Sequence, residues 1–314
     1  MQSVGWEEAW KRARGMLSGV TRRRCAASQP GVDLAVLDWG GQGELALLHH
    51  ANGFCAATLA PVAQGLRDRY RVVSVDARGH GDSTPVEPGG DPSPYGWTTL
   101  VGDLRSAAHE ILAITGRDQI ALGIGHSLGG ALSLAVAKQE PGLFEGLVLC
   151  DPVIPPPLTR NDPMARSGGR ALAEATRRRR DRFPSRAEAF VHCRSRDLFA
   201  AFTPEALALY VGEGMRETME GEIALKCDRE VEASIFDGGG MLDLFENADR
   251  ISPEVLFLHA RRGNFRVEVY QEMAERMPRA RVESLDAGHL FPMEEPERVL
   301  EAVAAMAESK CHPN

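Results

Sequence analysis

The stretch Gln119-Ile120-Ala121-Leu122-Gly123-Ile124-Gly125-His126-Ser127-Leu128-Gly129 decides the fold, because an apolar strand pattern runs directly into a G-x-S-x-G turn. A helix-forming run from Gly130 to Lys138 follows at once. Strand, sharp turn and helix together are typical of a nucleophile elbow. The turn predicts a strained backbone at Ser127, so the residues two before and two after it must be small. Gly125 and Gly129 meet this requirement.

Strand and helix patterns alternate on both sides of the elbow. Apolar, β-branched runs predict strands at 44–49, 71–76, 146–150, 254–259 and 281–285, and residues 32–39 predict an edge strand. Helical patterns lie at 56–69, 98–114, 267–277 and 296–309, and the first 30 residues predict a peripheral helix and a loop. Such alternation predicts a parallel sheet with helices on both faces, with function at the carboxyl ends of its strands.

Residues 152–252 differ in character from the rest of the chain. They begin in a proline-rich segment, carry the charged run 177–182 and show helical periodicity, which predicts a helical insertion. We therefore predict an N-terminal extension at 1–30, an α/β core at 31–151 and 253–314, and a helical cap at 152–252.

Composition limits the classes of partner. The 314 residues carry a formal net charge of −8, which argues against a nucleic-acid binder, because phosphate binding needs a basic surface. No apolar stretch is long enough to span a bilayer. The six cysteines are scattered without a C-x-x-C pair, which favours reduced thiols in a cytoplasmic protein and predicts no metal site. No organic cofactor is predicted, and the oligomeric state is left open.

Candidate chemical groups follow other strands. His289 comes just after the last strand, where a neutral imidazole can act as a base for a serine hydroxyl. The backbone N–H groups of Asn52 and Leu128 are candidates to hold an oxyanion. In the loop 76–83, Arg78 and Asp82 can pair and the glycines permit a tight turn, so we expect this loop to support the structure.

Four motifs together resemble the α/β-hydrolase fold superfamily: HANGF at 50–54, D-x-RGHGDS at 76–83, GHSLGG at 125–130 and AGH at 287–289. The resemblance covers 31–151 and 253–309. It implies a mostly parallel eight-stranded sheet with helices on both faces and a helical cap inserted after the sixth strand. It also implies Ser127 as nucleophile, His289 as base, and Asn52 with Leu128 as oxyanion donors in a capped, esterase- or lipase-like serine hydrolase.

The chain departs from the superfamily at the acid. Members usually hold an aspartate just after the penultimate strand, but residues 259–265 contain no carboxylate. Asp151, at the end of the strand that follows the elbow helix, is the best replacement. Asn264 remains an alternative that would orient the imidazole without charge, and Glu232 or Asp243 are further candidates from the cap.

The resulting hypothesis is hydrolysis of a small apolar carboxylic ester through an acyl-enzyme. The same triad also serves hydrolysis of carbon–carbon bonds, lactones or amides, and the fold also serves non-catalytic small-molecule receptors. The cap supplies candidates for an apolar cleft or for its own core: Phe183, Phe190, Phe199, Phe202, Tyr210, Met215, Met219 and Phe236. Arginines 177–180 are interpreted as a solvated helix face, with attraction of an acidic substrate as the alternative.

Overall fold

The computed structural model of the protein describes residues 4–90, 93–155, 157, 163–238 and 242–311. Its strands are β1 (Thr21–Ala26), β2 (Asp33–Gly40), β3 (Glu44–His49), β4 (Tyr70–Val75), β5 (Leu122–His126), β6 (Gly146–Cys150), β7 (Arg182–Phe183), β8 (Met215–Glu217), β9 (Ile223–Leu225), β10 (Glu254–Ala260) and β11 (Ala280–Leu285). Its helices are α1 (Trp6–Met16), α2 (Ala60–Leu66), α3 (Trp97–Thr115), α4 (Leu128–Gln139), α5 (Pro163–Arg178), α6 (Arg186–Arg194), α7 (Asp197–Ala200), α8 (Pro204–Glu213), α9 (Arg229–Asp237), α10 (Val267–Glu275), α11 (Phe291–Glu294) and α12 (Pro296–Cys311). Short 3₁₀ turns lie at Ala56–Leu59 and Ala248–Arg250. No helix in these ranges is long and apolar enough to cross a membrane.

The central sheet has eight strands in the order β1-β2-β4-β3-β5-β6-β10-β11. Strand β2 runs antiparallel to both of its neighbours, and the remaining pairs are parallel. Ala46 and Leu48 of β3 pack with α2 and α12, whereas Leu45 and Leu47 pack with α3 and α4. Because alternate side chains of a strand point to opposite faces, both faces of the sheet are covered. The predicted mostly parallel, helix-covered eight-stranded sheet is confirmed.

The N-terminal part of the sheet corrects two predictions. Residues 21–26, predicted as part of a loop, form β1, which pairs with β2 from Thr21 opposite Asp38 to Ala26 opposite Asp33. Strand β2 is therefore not an edge strand, as its sequence pattern predicted, because β1 occupies that edge. The exposed arginine-rich pattern of β1 suits an edge, where charged side chains discourage pairing with another chain.

The segment between β6 and β10 contains α5 to α9, which agrees with a cap inserted after the sixth strand. The prediction of helical structure alone was incomplete, since β7, β9 and β8 form a three-stranded antiparallel sheet within it. Strands of two or three residues are too short to give a readable alternation of polar and apolar side chains. We refer to residues 163–238 as the cap.

The loop after β4 is tight, as predicted, but Arg78 and Asp82 have partners other than each other. Gly79 and Gly81 have φ of 71° and 50°, which glycine adopts without strain. Arg78 does not pair with Asp82. Its fully buried guanidinium donates two hydrogen bonds, both 2.8 Å long, to the carboxylate of Asp103 on α3. Asp82 instead pairs with Arg22 of β1 and with a cap lysine.

Candidate active site

Ser127 lies between β5 and α4 with a backbone φ of 53° and ψ of −114°. A Cβ on Gly125 would lie 2.6 Å from the carbonyl oxygen of Gly129, and one on Gly129 would lie 2.4 Å from the carbonyl oxygen of His49. Neither contact is tolerable for a side chain, so the predicted need for small residues around the elbow is confirmed. The structure therefore has the strained strand–turn–helix geometry of a nucleophile elbow at the carboxyl end of β5.

The elbow is anchored by its own peptide groups. The N–H of Ser127 donates to the carbonyl of Cys150 at 3.0 Å, which ties the turn to the end of β6. Its carbonyl accepts the N–H groups of Gly130 and Ala131, each at 3.1 Å, and so begins α4. The Ser127 hydroxyl does not cap this helix. It is therefore free to interact with another side chain.

That side chain is His289, which follows β11. Its Nε2 lies 3.1 Å from the Ser127 Oγ, and its Nδ1 lies 2.7 Å from Oδ2 of Asp151. The backbone carbonyl of His289 accepts a 2.9 Å hydrogen bond from Nε2 of His126, and the Phe265 ring meets the imidazole edge-on. These contacts hold the ring in place between the serine and the carboxylate.

Asp151 is fully buried at the end of β6 and has a φ of 42°. Its Oδ1 accepts the N–H of Ala260 at 3.0 Å and lies 3.1 Å from the Tyr270 hydroxyl. The Tyr270 hydroxyl also lies 2.8 Å from the Pro152 carbonyl. Burial raises the pKa of Tyr270, so this hydroxyl stays protonated and acts as a donor.

The direction of proton transfer follows from these contacts. A carboxylate oxygen accepts, so Nδ1 of His289 carries the proton that faces Asp151. Nε2 then presents a lone pair to the Ser127 hydroxyl, which donates to it. This is the arrangement in which a histidine removes a proton from a serine while a carboxylate stabilises the charge that develops on the ring.

The other predicted candidates for the acid lie elsewhere. Glu232 forms an ion pair with Arg179 inside the cap. Asp243 accepts the N–H groups of Phe245 and Glu246 and so holds a turn. Asn264 makes no hydrogen bond to His289 in the part of the chain that the structure describes. The geometry favours Asp151 over these alternatives.

Asn52 and Leu128 lie at the carboxyl ends of the neighbouring strands β3 and β5. Leu128 is the first residue of α4, where the peptide N–H has no intrahelical acceptor. Within the described ranges, the N–H of Asn52 likewise donates to no other group. Two such N–H groups beside a serine suit the binding of a developing oxyanion. Their role as oxyanion donors stays a prediction.

Four buried histidines lie at or just after the carboxyl ends of the strands β3, β4 and β5. Burial lowers the pKa of His49 to about 4 and the pKa of His50, His80 and His126 to about 3, so all four are neutral near pH 7. Nε2 of His50 accepts the N–H of Ala77, and Nε2 of His80 accepts the N–H of Gly53. In these positions the imidazoles hold the two loops that follow β3 and β4.

Two residues that the sequence analysis missed support Asp151. Tyr270 lies on a helix that was predicted, but an aromatic residue on a helix gives no signal of the group its hydroxyl contacts. Gly263 leaves the space that the carboxylate occupies, since a Cβ there would lie 2.7 Å from Oδ2 of Asp151. The absence of a carboxylate at 259–265 was the available sequence signal, since it indicated that the turn after β10 does not supply the acid.

Most of the predicted cleft-lining residues of the cap are packed in its interior. Phe183, Phe190, Phe199, Phe202, Tyr210 and Met215 are buried, whereas Met219 is fully exposed. Phe54, which follows the Asn52 loop, contacts the rings of Phe199, Phe202 and Tyr210. Among the residues that the structure describes, two of the four arginines at 177–180 form ion pairs, Arg177 with Glu230 and Asp237 of α9 and Arg179 with Glu232, whereas Arg178 and Arg180 are exposed.

An eight-stranded, mostly parallel sheet with a serine elbow and an insertion after the sixth strand defines the class of α/β hydrolases. The sequence profile of the alpha/beta hydrolase family matches residues 46–302, and the chain belongs to that family. Hydrolase is accordingly the general class of activity that membership supports.

One relative and two solved structures are similar to this chain. A 2-(acetamidomethylene)succinate hydrolase of Mesorhizobium japonicum is 33% identical over 113 residues, a match that covers 35% of this chain and only 36% of that protein. The crystal structure of an E-2-(acetamidomethylene)succinate hydrolase superposes with a TM-score of 0.74 at 20% identity, over 92% of this chain and 99% of that one. A malate-bound thermophilic esterase from Thermogutta terrifontis has a TM-score of 0.66 at 25% identity, over 92% of this chain and 98% of that one.

Proposed function

We propose that the protein is a serine hydrolase that cleaves a carboxylic ester through an acyl-enzyme. The observation that carries the proposal is the continuous hydrogen-bonded path from Ser127 through His289 to Asp151. In this proposal Ser127 is the nucleophile, His289 the general base and then acid, and Asp151 the group that orients and stabilises the imidazolium.

The reaction proceeds in two halves. Ser127 Oγ attacks the ester carbonyl carbon as His289 Nε2 takes its proton, and the carbonyl electron pair moves to an oxyanion that accepts the N–H groups of Asn52 and Leu128. The intermediate expels the alkoxide, which takes the proton from His289 and leaves as the alcohol. In the second half, water gives a proton to His289 as its oxygen attacks the acyl carbon and forms a second tetrahedral intermediate. The bond from this carbon to Ser127 Oγ then breaks, Oγ takes the proton back from His289, and the acid leaves.

The cap is proposed to belong to a domain of residues 152–252. This domain would cover the site and exclude water from an apolar substrate. Its buried aromatic residues pack directly on Phe54, next to the proposed oxyanion loop, which supports a cap that closes over the reacting groups. The proposed substrate is a small apolar ester.

An amide-type substrate is the second candidate. It is favoured by the 33% identical relative, which is named for hydrolysis of 2-(acetamidomethylene)succinate. The chemistry at Ser127 would be the same up to the tetrahedral intermediate. The difference lies in the leaving nitrogen, which must take the proton from His289 before it can depart.

A matched pair of substrates tests the proposal: a 4-nitrophenyl ester and the 4-nitroanilide of the same acyl group, with fluorophosphonate labelling. We expect ester hydrolysis and labelling by the wild type, and a loss of at least about 10³-fold in hydrolysis by Ser127→Ala. Preference for the anilide would support the amide alternative. Absence of both hydrolysis and labelling would contradict the proposal and favour a non-catalytic receptor.

A further inference from the structure

Glu232 of α9 lies against the loop that carries Asn52. Its backbone carbonyl accepts a 3.0 Å hydrogen bond from the Asn52 side-chain amide. Its carboxyl group lies directly over the next residue, since a Cβ on Gly53 would be 2.6 Å from both Cδ and Oε1 of Glu232. Gly53 has a φ of 79°, so the loop is held in a left-handed turn beneath a cap side chain.

The opposite side of the same loop is also fixed. The N–H of Gly53 donates to Nε2 of His80 at 3.0 Å, and His80 is itself fully buried. The Asn52–Gly53 peptide therefore lies between a core imidazole and a cap carboxyl group. The Asn52 N–H belongs to the preceding Ala51–Asn52 peptide, so its direction depends on the backbone angles of Asn52. A displacement of Glu232 would alter these angles, because Glu232 contacts both the Asn52 side chain and Gly53.

The carboxylate of Glu232 depends on one cation. Its side chain is only 8% exposed and forms an ion pair with Arg179, which follows α5. Burial raises the pKa of Glu232, whereas Arg179 and a hydrogen bond from Thr176 favour its ionised form. Without Arg179, the carboxylate would be buried without a charge partner, and it would have to take up a proton or move toward water.

We propose that the Arg179–Glu232 pair is a positioning device that aims the Asn52 N–H at the oxyanion. The pair contacts no reacting atom and acts through Gly53 and Asn52. It thereby makes the geometry of the oxyanion site depend on the packing of the cap against the core. This inference rests on the proposed function, in which Asn52 is an oxyanion donor.

The test compares a trifluoromethyl ketone with the matching methyl ketone as inhibitors of ester hydrolysis. Ser127 adds to the trifluoromethyl ketone to form a stable oxyanion, whereas the methyl ketone reports ground-state binding. The inhibition constant of the methyl ketone divided by that of the trifluoromethyl ketone therefore measures oxyanion stabilisation. We expect Arg179→Met to reduce this ratio and kcat by about 10- to 100-fold, below the 10²–10³ that loss of a whole donor costs, with KM nearly unchanged.

Rescue separates positioning from a merely structural role. In Arg179→Met/Glu232→Gln the buried group is neutral and needs no cation, so the ratio and kcat should return to within a few-fold of Glu232→Gln alone. The matched control is Arg177→Met, which breaks the exposed pairs that Arg177, at the end of α5, forms with Glu230 and Asp237 of α9, and which should change neither quantity. If Arg179→Met does not fold, Glu232→Ala, which removes the group above Gly53, gives the same readout.

An unchanged ratio in a folded, active Arg179→Met or Glu232→Ala variant would overturn the positioning role and leave the proposed function intact. A wild type that neither hydrolyses esters nor binds the trifluoromethyl ketone more tightly than the methyl ketone would overturn the proposed function itself. A fall in thermal stability without a change in the ratio would also overturn positioning, because it would show a structural role only.

Discussion

Oδ2 of Asp151 lies 2.7 Å from Nδ1 of His289, although 138 positions separate the two residues in the chain. The carboxylate comes from the end of β6, the strand beside the one that carries Ser127. It therefore precedes the cap in sequence, whereas the superfamily pattern places the acid after the penultimate strand. Gly263, in the turn after that strand, leaves the room that this arrangement needs.

Asp151→Asn should reduce kcat for ester hydrolysis by about 10³- to 10⁴-fold, because an amide does not stabilise the imidazolium and favours the wrong tautomer. The fold should persist, since an asparagine has nearly the same volume. Hydrolysis of a 4-nitrophenyl ester and a thermal melt measure the two effects. Asp243→Asn is the matched control. This variant should retain activity, because the Asp243 side chain holds a turn of the chain through the N–H groups of Phe245 and Glu246. Activity near that of the wild type in Asp151→Asn would move the acid to another residue.

If the carboxylate only has to lie close to Nδ1 of His289, it can be moved from position 151 to another position in the chain. In Asp151→Gly, the small residue suits the positive φ and empties the space beside Gly263. Adding Gly263→Asp places a carboxylate in the turn after β10, near Nδ1 of His289. We expect the double variant to exceed the single variant in kcat/KM by at least about tenfold, the equivalent of one modest hydrogen bond. No recovery would indicate that Asp151 contributes more than the location of its charge.

The positions of Ser127 and His289 could be predicted because their signals are local or ordered along the chain. The elbow needs only a strand, small residues and a helix, and the candidate base follows the last strand. By contrast, β1 is recognisable only through its pairing with β2, and the partner of Arg78 is set by the approach of α3. The contacts that position Asp151 arise from residues distant in sequence, so no local pattern shows them.

Tyr270→Phe should lower kcat by roughly tenfold, less than Asp151→Asn, because a hydrogen bond to a charged group is worth about 1.5–3 kcal/mol and the Ala260 N–H remains. Tyr95→Phe is the matched control, since its buried hydroxyl donates to the Val86 carbonyl rather than to Asp151. Both variants should lose stability, and only Tyr270→Phe should lose turnover. Equal activities, measured at saturating ester, would show that the Tyr270 hydroxyl has no role in positioning Asp151.

Stability should fall steeply as the pH drops from 6.5 toward 4, because four buried histidines have a lowered pKa. Between their folded values of about 3 to 4 and the ordinary value near 6.5, the unfolded chain binds protons that the folded protein does not. This contribution is fully present above pH 6.5. Asp76 opposes it, because burial raises its pKa to about 6 and the folded protein then binds the extra proton.

The His126→Gln variant isolates one of these protons. A glutamine amide can donate to the His289 carbonyl as Nε2 of His126 does, and it does not titrate. Urea unfolding between pH 4 and 7 should show a slope about 1.4 kcal/mol per pH unit shallower than that of the wild type near pH 5, the value for one proton. A wild-type slope in His126→Gln would mean that His126 is charged in the folded protein. The assignment of a neutral imidazole to this buried residue would then be wrong.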